Sequence, residues 1–278
     1  MTTALPRAAT PAAITTGAIR ARAKQSVSLA ETARQSLTMA YRSVLKLRHN
    51  PEQLFDVTIM PIIFTVMFTY IFGGAISGNV SSYLPVIIPG ILVQTVVMSS
   101  IVTGTQLRED MDKGVFDRFR SLPIARISPL AGALLADVIR YLIASIITVV
   151  MGLIMGWRPN VLGVIASVVL VMVCSFAVSW IFALMGCIMS KASAVQGISM
   201  LVVFPLTFMS NAFVPVDTMP GWLQAFVNVN PVSHLVTAVR ELTATGHAGI
   251  HVVWALAGAA VITAVFAPLA VRAYMRNA

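Results

Sequence analysis

Charged residues are scarce in this chain. Asp, Glu, Lys and Arg make up 10% of its 278 residues, whereas hydrophobic residues make up 58%. Soluble domains carry about 25% charged and roughly 45–50% apolar residues. The composition therefore excludes an ordinary soluble protein and predicts an integral membrane protein.

Signatures of nucleotide binding and metal binding are missing as well. A phosphate-binding loop, GxxxxGK[ST], needs a Gly-Lys dipeptide, and the chain contains none. It has no HExxH or CxxC motif, its four histidines are scattered, and no GxSxG sequence frames a serine. We therefore expect no catalytic residue, no metal and no cofactor bound by this chain.

Cysteine is rare too, and Cys174 and Cys187 lie in one apolar run. If that run is a single helix, a rise of about 1.5 Å per residue separates them by roughly 20 Å. This distance excludes a disulfide between them. We expect two buried free thiols.

Six apolar stretches are candidates for crossing a bilayer, which takes about 20 helical residues. Pro61 and Pro205 fall inside two of them and predict kinks, because neighbouring helices can satisfy the freed carbonyls. The predicted fold is all-α with six transmembrane helices. The predicted spans are residues 54–72, 83–105, 129–156, 161–189, 195–209 and 251–272.

Lysine and arginine concentrate in the segments that six spans would leave on one side. Eight precede the first span, five lie in the 106–128 loop and three follow on the same side, whereas the other side has Arg158 and Arg240. Excess positive charge marks the cytoplasmic face, so we expect both termini in the cytoplasm. The bases form no patch interleaved with aromatic residues, and no nucleic-acid partner is expected.

The first 50 residues contain two different segments. Residues 1–30 are rich in Ala, Thr and Pro, have no apolar core of a secretory signal, and are predicted to be a disordered cytoplasmic tail. Residues 31–50 show a basic amphipathic helical pattern just before a span, which favours a helix lying in the membrane interface. A short soluble helix is the alternative.

One segment, residues 107–123 (LREDMDKGVFDRFRSLP), is polar and stands between two long runs that have almost no charge. Its apolar residues recur every three or four positions and predict a short amphipathic helix at the water boundary, interrupted by Gly114. We call it the polar segment. A solvated face without a partner is the alternative reading. The residues expected to meet a partner are Arg108, Glu109, Asp110, Met111, Lys113, Gly114, Phe116, Asp117, Arg118 and Phe119.

The connection between the fifth and sixth spans, residues 210–250, is too apolar for an ordinary loop and too rich in proline for a span. Helices are predicted at 217–226 and 233–242. Two half-helices dipping back from the outer face would explain the composition. Irregular backbone at membrane depth must be buried in protein or line a cavity, so this region is a candidate gate.

Charged residues near or within the spans need partners, because an isolated charge in a membrane is costly. Asp137 and Arg140 are three positions apart on a predicted helix and are expected to pair. Arg240 and Glu241 are adjacent and point in different directions, so each needs another partner. A structural role is the default for Arg240, with substrate contact as the alternative.

Three stretches of the sequence resemble the permease subunit of type-2 ATP-binding-cassette (ABC) exporters, in particular the bacterial daunorubicin/doxorubicin-resistance family. They are RHNPEQLFDVTIMPIIFTVMFTYIFGGAI (48–76), REDMDKGVFDRFRSLPIARISPLAGALLADVIR (108–140) and FVPVDTMPGWLQAFVNVNPVSHLVTAVREL (213–242). Their order and the span spacing carry the resemblance. It implies that residues 31–278 form the family's transmembrane domain in a bacterial cell membrane.

The resemblance also implies partners and a mechanism. The polar segment would be a coupling helix that docks on a separate cytoplasmic ATPase, which binds ATP and Mg²⁺. A second permease copy, identical or a paralogue, would complete a dimer that exports a hydrophobic or amphiphilic compound by alternating access. An ATP-independent transporter or channel, an intramembrane enzyme, and a receptor or scaffold are the alternatives. The expected substrate path or gate comprises Phe64, Phe68, Met200, Phe204, Phe208, Met209, Arg240 and Glu241.

Overall fold

The computed structural model describes residues 29–49, 51–115 and 127–277, and in these ranges the chain is helical, without a strand. Of the tail predicted for residues 1–30, residues 1–28 lie outside the described residues. The helices are α1 (Leu29–His49), α2 (Pro51–Ser77), α3 (Val80–Ser99), α4 (Ile101–Asp112), α5 (Ser128–Ile154), α6 (Val161–Ile188), α7 (Ala192–Phe208), α8 (Gly221–Val229), α9 (Pro231–Thr245) and α10 (Ile250–Asn277), with a 3₁₀ turn at Val216–Thr218.

The prediction of an all-helical membrane protein is confirmed. Among the described residues, α7 is apolar but has 17 residues, fewer than the roughly 20 that a bilayer requires. The count of six spans therefore stays a prediction. The helical stretches that are long and apolar enough to cross a membrane are Val57–Gly74, Val80–Asp112, Ser128–Ile154, Val161–Ile188 and Ile250–Arg276.

The second span continues farther than its apolar run. Ser100, between α3 and α4, keeps helical dihedral angles, and the two helices form one stretch of 33 residues. The short helix predicted from residue 107 is therefore, as far as Asp112, the continuation of the helix that carries the second span. The predicted end of the span at residue 105 stays a prediction. The intervening Gln, Leu, Arg and Glu residues are good helix formers. The chain turns at Gly114, where φ is +64°, a conformation that favours glycine.

The α3–α4 helix stands at the centre of the described bundle. In an apolar stretch of 18 residues from this helix, 78% of the residues are buried, compared with 11% in the corresponding stretch of α10. It packs against α2, α5, α6, α7 and α9. Between Val80 and Ser99 its sequence is apolar on every side, which is typical of a helix surrounded by other helices.

α4 and α6 cross in direct backbone contact. A Cβ atom on Gly104 would overlap the carbonyl oxygen of Phe182, and one on Gly186 would overlap the carbonyl oxygen of Gly104. Small residues permit such close approach between membrane helices. Around Gly104, α4 therefore packs tightly against α6.

The two short helices predicted between α7 and α10 both exist, with shifted ends. α8 begins at Gly221 instead of residue 217, because Met219 precedes a proline and has extended backbone angles. α9 begins at Pro231, where the side chain of Asn230 accepts a hydrogen bond from the Val232 N–H at 2.9 Å. It ends at Gly246, with φ of +77°, a common helix C-terminus.

Candidate functional site

The described half of the polar segment is the last turn of α4 and the turn after it. Arg108 donates to Asp112 through Nε at 2.9 Å, and through Nη1 to the carbonyl oxygen of Met189 at 2.9 Å. Met189 caps the C-terminus of α6, where a cation is favourable. Arg108 therefore links α4 to α6 within this chain. Its predicted contact with a partner protein stays a prediction.

Other members of the polar segment divide into packed and exposed residues. Met111 packs against the cluster of Leu107 and Tyr274, so it anchors α4 within its own chain. Glu109 and Lys113 form an ion pair at 3.2 Å in which both side chains are about half exposed or more. Such surface pairs stabilise a fold by less than about 1 kcal/mol, so these two side chains can exchange their contact for a partner.

Asp110 and Gly114, which were also predicted to meet a partner, lie in a cleft and in a turn. Asp110 lines a small cleft between α1, α4 and α5, together with Arg42 and Gln106. Gly114 forms the turn described above. The prediction for Phe116, Asp117, Arg118 and Phe119 lies outside the described residues.

A buried polar cluster lies one to two turns farther into the bundle. Asp137 and Arg140 on α5 form the expected ion pair, with Nη1 and Oδ1 2.5 Å apart. Thr103 donates to the Asp137 carboxylate, and Arg140 donates from Nη2 to Gln106 Oε1 at 2.6 Å. All four residues are buried.

This cluster joins the first two turns of α4 to α5. Thr103 and Gln106 were not predicted as its members. Their signal in the sequence is a pair of polar residues three positions apart at the end of an apolar run, the same spacing as Asp137 and Arg140. The two pairs therefore present matching helix faces.

Arg240 on α9 is a structural clamp rather than an exposed cation. Its Nε and Nη2 atoms lie 3.1 and 2.9 Å from the carbonyl oxygen of Val86 on α3. Nη2 also lies 2.7 Å from the carbonyl oxygen of Asn211 and 3.0 Å from that of Ala212. The guanidinium thus joins α9 to α3 and to the turn that follows α7.

Tyr83 supports the same turn from α3. Its buried hydroxyl donates to the carbonyl oxygen of Phe213 at 2.6 Å. Gly90 lies beside the turn, and a Cβ there would overlap the carbonyl oxygen of Ala212. The turn after α7 is therefore fixed by side chains of both α3 and α9. Glu241 points elsewhere, toward His251, with Oε1 and Nε2 3.8 Å apart.

Phenylalanine rings from α2, α7 and the turn after α7 form an aromatic cluster. Phe68 lies at its centre, with ring centroids 4.5 Å from Phe213 and 6.3 Å from Phe208. Phe204 stacks on Phe208 at 4.1 Å. The cluster comprises Phe64, Phe68, Phe72, Phe204, Phe208 and Phe213.

The structure thus brings together four of the predicted path residues, Phe64, Phe68, Phe204 and Phe208. Met200 is exposed and Met209 is half-buried, and neither belongs to the aromatic cluster. Phe72 was missed, although it continues the four-residue spacing of Phe64 and Phe68. Phe213 has no periodic signal, because it lies in an irregular turn.

Comparison with known proteins decides the family. A family model described as ABC-2 type transporter matches residues 34–243, a range that runs from α1 into α9 and includes the polar segment. The chain belongs to the ABC-2 transporter family. It is therefore a permease subunit of an ABC exporter, as the resemblance in the sequence implied.

Relatives of this family agree with that assignment. The chain is 45% identical over 242 residues to a daunorubicin resistance ABC transporter permease protein of Streptomyces coeruleorubidus, covering 86% of this chain and 85% of the relative. It is 26% identical over 166 residues to a probable doxorubicin resistance ABC transporter permease protein of Mycobacterium tuberculosis, covering 56% of this chain and 58% of the relative. A putative transport permease of Porphyra purpurea is 28% identical over 160 residues.

Membership of an ABC family implies an ATPase partner, because ABC transport is driven by ATP hydrolysis. The alternatives of an ATP-independent transporter, an intramembrane enzyme or a receptor are therefore not supported for this chain. The membrane-capable helices and the family together establish a multi-pass membrane protein.

Proposed function

We propose that this chain is the transmembrane subunit of a bacterial exporter that moves a hydrophobic or amphiphilic compound, such as a drug, natural product or lipid, out of the cell. ATP and Mg²⁺ are bound by a separate cytoplasmic ATPase. The relatives' names, daunorubicin and doxorubicin resistance permeases, support an aromatic amphiphile as cargo. The observation that carries the mechanism is the continuous, centrally buried helix from α3 through α4 to the polar segment.

In this proposal the membrane contains six spans, with the short helix α7 as the fifth. α8 and α9 re-enter from the outer face, and α9 is supported in that position by the Arg240 clamp. Both termini and the polar segment are cytoplasmic, in agreement with the distribution of basic residues. α1 lies in the inner interface, where its exposed apolar residues Leu37 and Tyr41 contact lipid.

The proposed power stroke begins at the polar segment. Glu109 and Lys113 make oriented contacts with the ATPase, and the undescribed residues 116–119 supply aromatic anchors to its surface. ATP-driven movement of the ATPase displaces the end of α4. Because α4 is fastened to α5 by the buried polar cluster and to α6 by Arg108 and Gly104, displacement of α4 tilts the bundle.

The proposed substrate path follows the aromatic cluster. Polarisable, apolar rings suit a hydrophobic or aromatic compound. Phe204 of the cluster is exposed in the single chain, and so are Ile63 and Met67 on α2 and Leu201 on α7. A second permease copy, identical or a paralogue, covers these faces, and membrane lipid covers the remaining apolar surface. Alternating access then needs a difference of only a few kcal/mol between the inward and outward states.

Transport by inside-out vesicles tests this proposal. Vesicles that contain this chain and the ABC ATPase purified with it are expected to accumulate daunorubicin only with ATP and Mg²⁺, and vanadate is expected to abolish the accumulation. The matched control replaces the lysine of the ATPase phosphate loop by alanine and should remove transport. Accumulation at an equal rate without ATP, or without the ATPase, would contradict the proposal.

A further inference from the structure

A pair of histidines near the starts of α9 and α10 has no part in the transport proposal. The Nδ1 atoms of His234 and His251 are 3.2 Å apart. The ring centroids are 5.4 Å apart and the ring planes differ by 24°. The centroids are farther apart than the nitrogens by about one ring width, so the two nitrogens point at each other.

Only one proton fits between two nitrogens in this arrangement. A hydrogen bond needs one donor and one acceptor, and a charged imidazole offers donors at both nitrogens. If one ring is charged, its Nδ1–H donates to the Nδ1 of the neutral ring and the contact persists. If both rings are charged, two N–H groups face each other and the contact is broken.

Glu241 lies beside this pair, on the side of His251. It lies two helical turns after His234 on α9, and His251 stands between these two side chains. Its Oε1 atom is 3.8 Å from Nε2 of His251. A charged His251 therefore faces a carboxylate on one side and the acceptor nitrogen of His234 on the other.

Few other titratable groups belong to the helices packed here. α6, α7 and α8 contain no Asp, Glu, Lys, Arg or His. Cys174 of α6 contacts the carbonyl oxygen of Ala255, one turn beyond the pair. Tyr83 on α3 and Arg240 on α9 are engaged with the turn after α7, as described above. The basic residues of α10, Arg272 and Arg276, lie at its other end.

We propose that His234, His251 and Glu241 form a proton-binding site that holds α9 against α10 while the two rings share one proton and releases them when both rings are charged. Histidine is the side chain whose charge ordinarily changes between pH 5 and 8. The released state binds more protons than the closed state, so the contact is lost as the pH falls. The orientation proposed above would expose this site to the medium outside the cell, but the site itself does not depend on that orientation.

Amide hydrogen exchange of the purified full chain in lipid nanodiscs tests the site between pH 7.5 and pH 5. Protection factors, which are corrected for the chemical rate at each pH, are measured for amides beyond the first turns of α9 and α10. In the unmodified chain they are expected to fall by up to about tenfold per pH unit, the limit for one proton. No ATPase or cargo is needed, so this result is independent of the transport test.

Three variants make the outcome decisive. His234→Asn keeps a polar atom near the place of Nδ1 but does not titrate, and it should remove the pH dependence. Glu241→Gln leaves both rings in place and should move the loss of protection to lower pH, because the carboxylate no longer favours the charged pair. The control His247→Asn alters an exposed ring that contacts Thr245 within the same turn, and it should behave like the unmodified chain.

Three results would overturn the proposal. The first is protection that does not change with pH in the unmodified chain. The second is a His234→Asn or Glu241→Gln variant with the unmodified pH profile. The third is loss of the pH dependence in the His247→Asn control, which would assign the effect to the exposed histidine.

Discussion

Asp137→Leu is expected to destabilise the folded protein strongly and to lower the yield of folded protein. The substitution leaves the Arg140 guanidinium buried, with 2% of its side chain exposed and without its carboxylate partner. Breaking a buried pair in this way costs about 3–5 kcal/mol, a large part of a total stability of about 5–15 kcal/mol. The measurement is the monodisperse fraction in detergent by fluorescence-detected size exclusion, together with the thermal midpoint of the protein that remains.

The double variant Asp137→Leu/Arg140→Met is the matched control. Replacing a whole buried pair by apolar residues is often neutral, so this variant should recover most of the folded protein. Glu109→Gln, which breaks the exposed pair with Lys113, should change the stability by less than about 1 kcal/mol. If Asp137→Leu is as stable as the unmodified chain, the buried polar cluster around Asp137 and Arg140 does not hold α4 against α5.

Exchanging the two charges at the end of α4, with Glu109→Lys and Lys113→Glu, is expected to disconnect the permease from its ATPase. The exchange keeps the net charge and the ion pair within the helix, at a cost of a few tenths of a kcal/mol. It reverses the charge pattern offered to the partner. Unfavourable charges at an interface cost several kcal/mol, and every 1.4 kcal/mol is about a tenfold loss of affinity.

Co-purification of the ATPase and ATP-driven transport measure this effect. Both should fall at least about tenfold, while the thermal midpoint of the permease alone stays unchanged. Glu31→Lys, an exposed charge reversal on α1 outside the polar segment, is the control and should leave assembly intact. Unchanged assembly and transport in the exchanged variant would show that Glu109 and Lys113 face solvent only.

The membrane class and the existence of most helices could be predicted from the sequence, because both depend on local composition. Long uncharged runs predicted the spans, and the prolines and glycine around α9 indicated its position to within a few residues. The spacing of Asp137 and Arg140 predicted their ion pair, since residues three apart on a helix are neighbours. The order of three stretches that resemble the family, together with the spacing of the spans, was enough to suggest the family.

The contacts of the site could be predicted less well, because they join residues far apart in the chain. Arg240 binds backbone carbonyl oxygens, which every residue possesses, so no side-chain pattern reveals its partners. Thr103 and Gln106 became visible only when α4 was placed against α5. Hydropathy also placed the end of the second span where the charged residues begin. The helix itself continues to Asp112, because the residues there have high helix propensity.

Labelling of a cysteine introduced at Lys113 tests the central claim, that the polar segment is the cytoplasmic connection to the ATPase. Lys113 has 64% of its side chain exposed, whereas the natural Cys174 and Cys187 are buried and should stay silent. A membrane-impermeant maleimide is predicted to label Lys113→Cys in inside-out vesicles but not in intact cells, and less strongly when the ATPase is bound. Labelling in intact cells, or from neither side, would contradict the account.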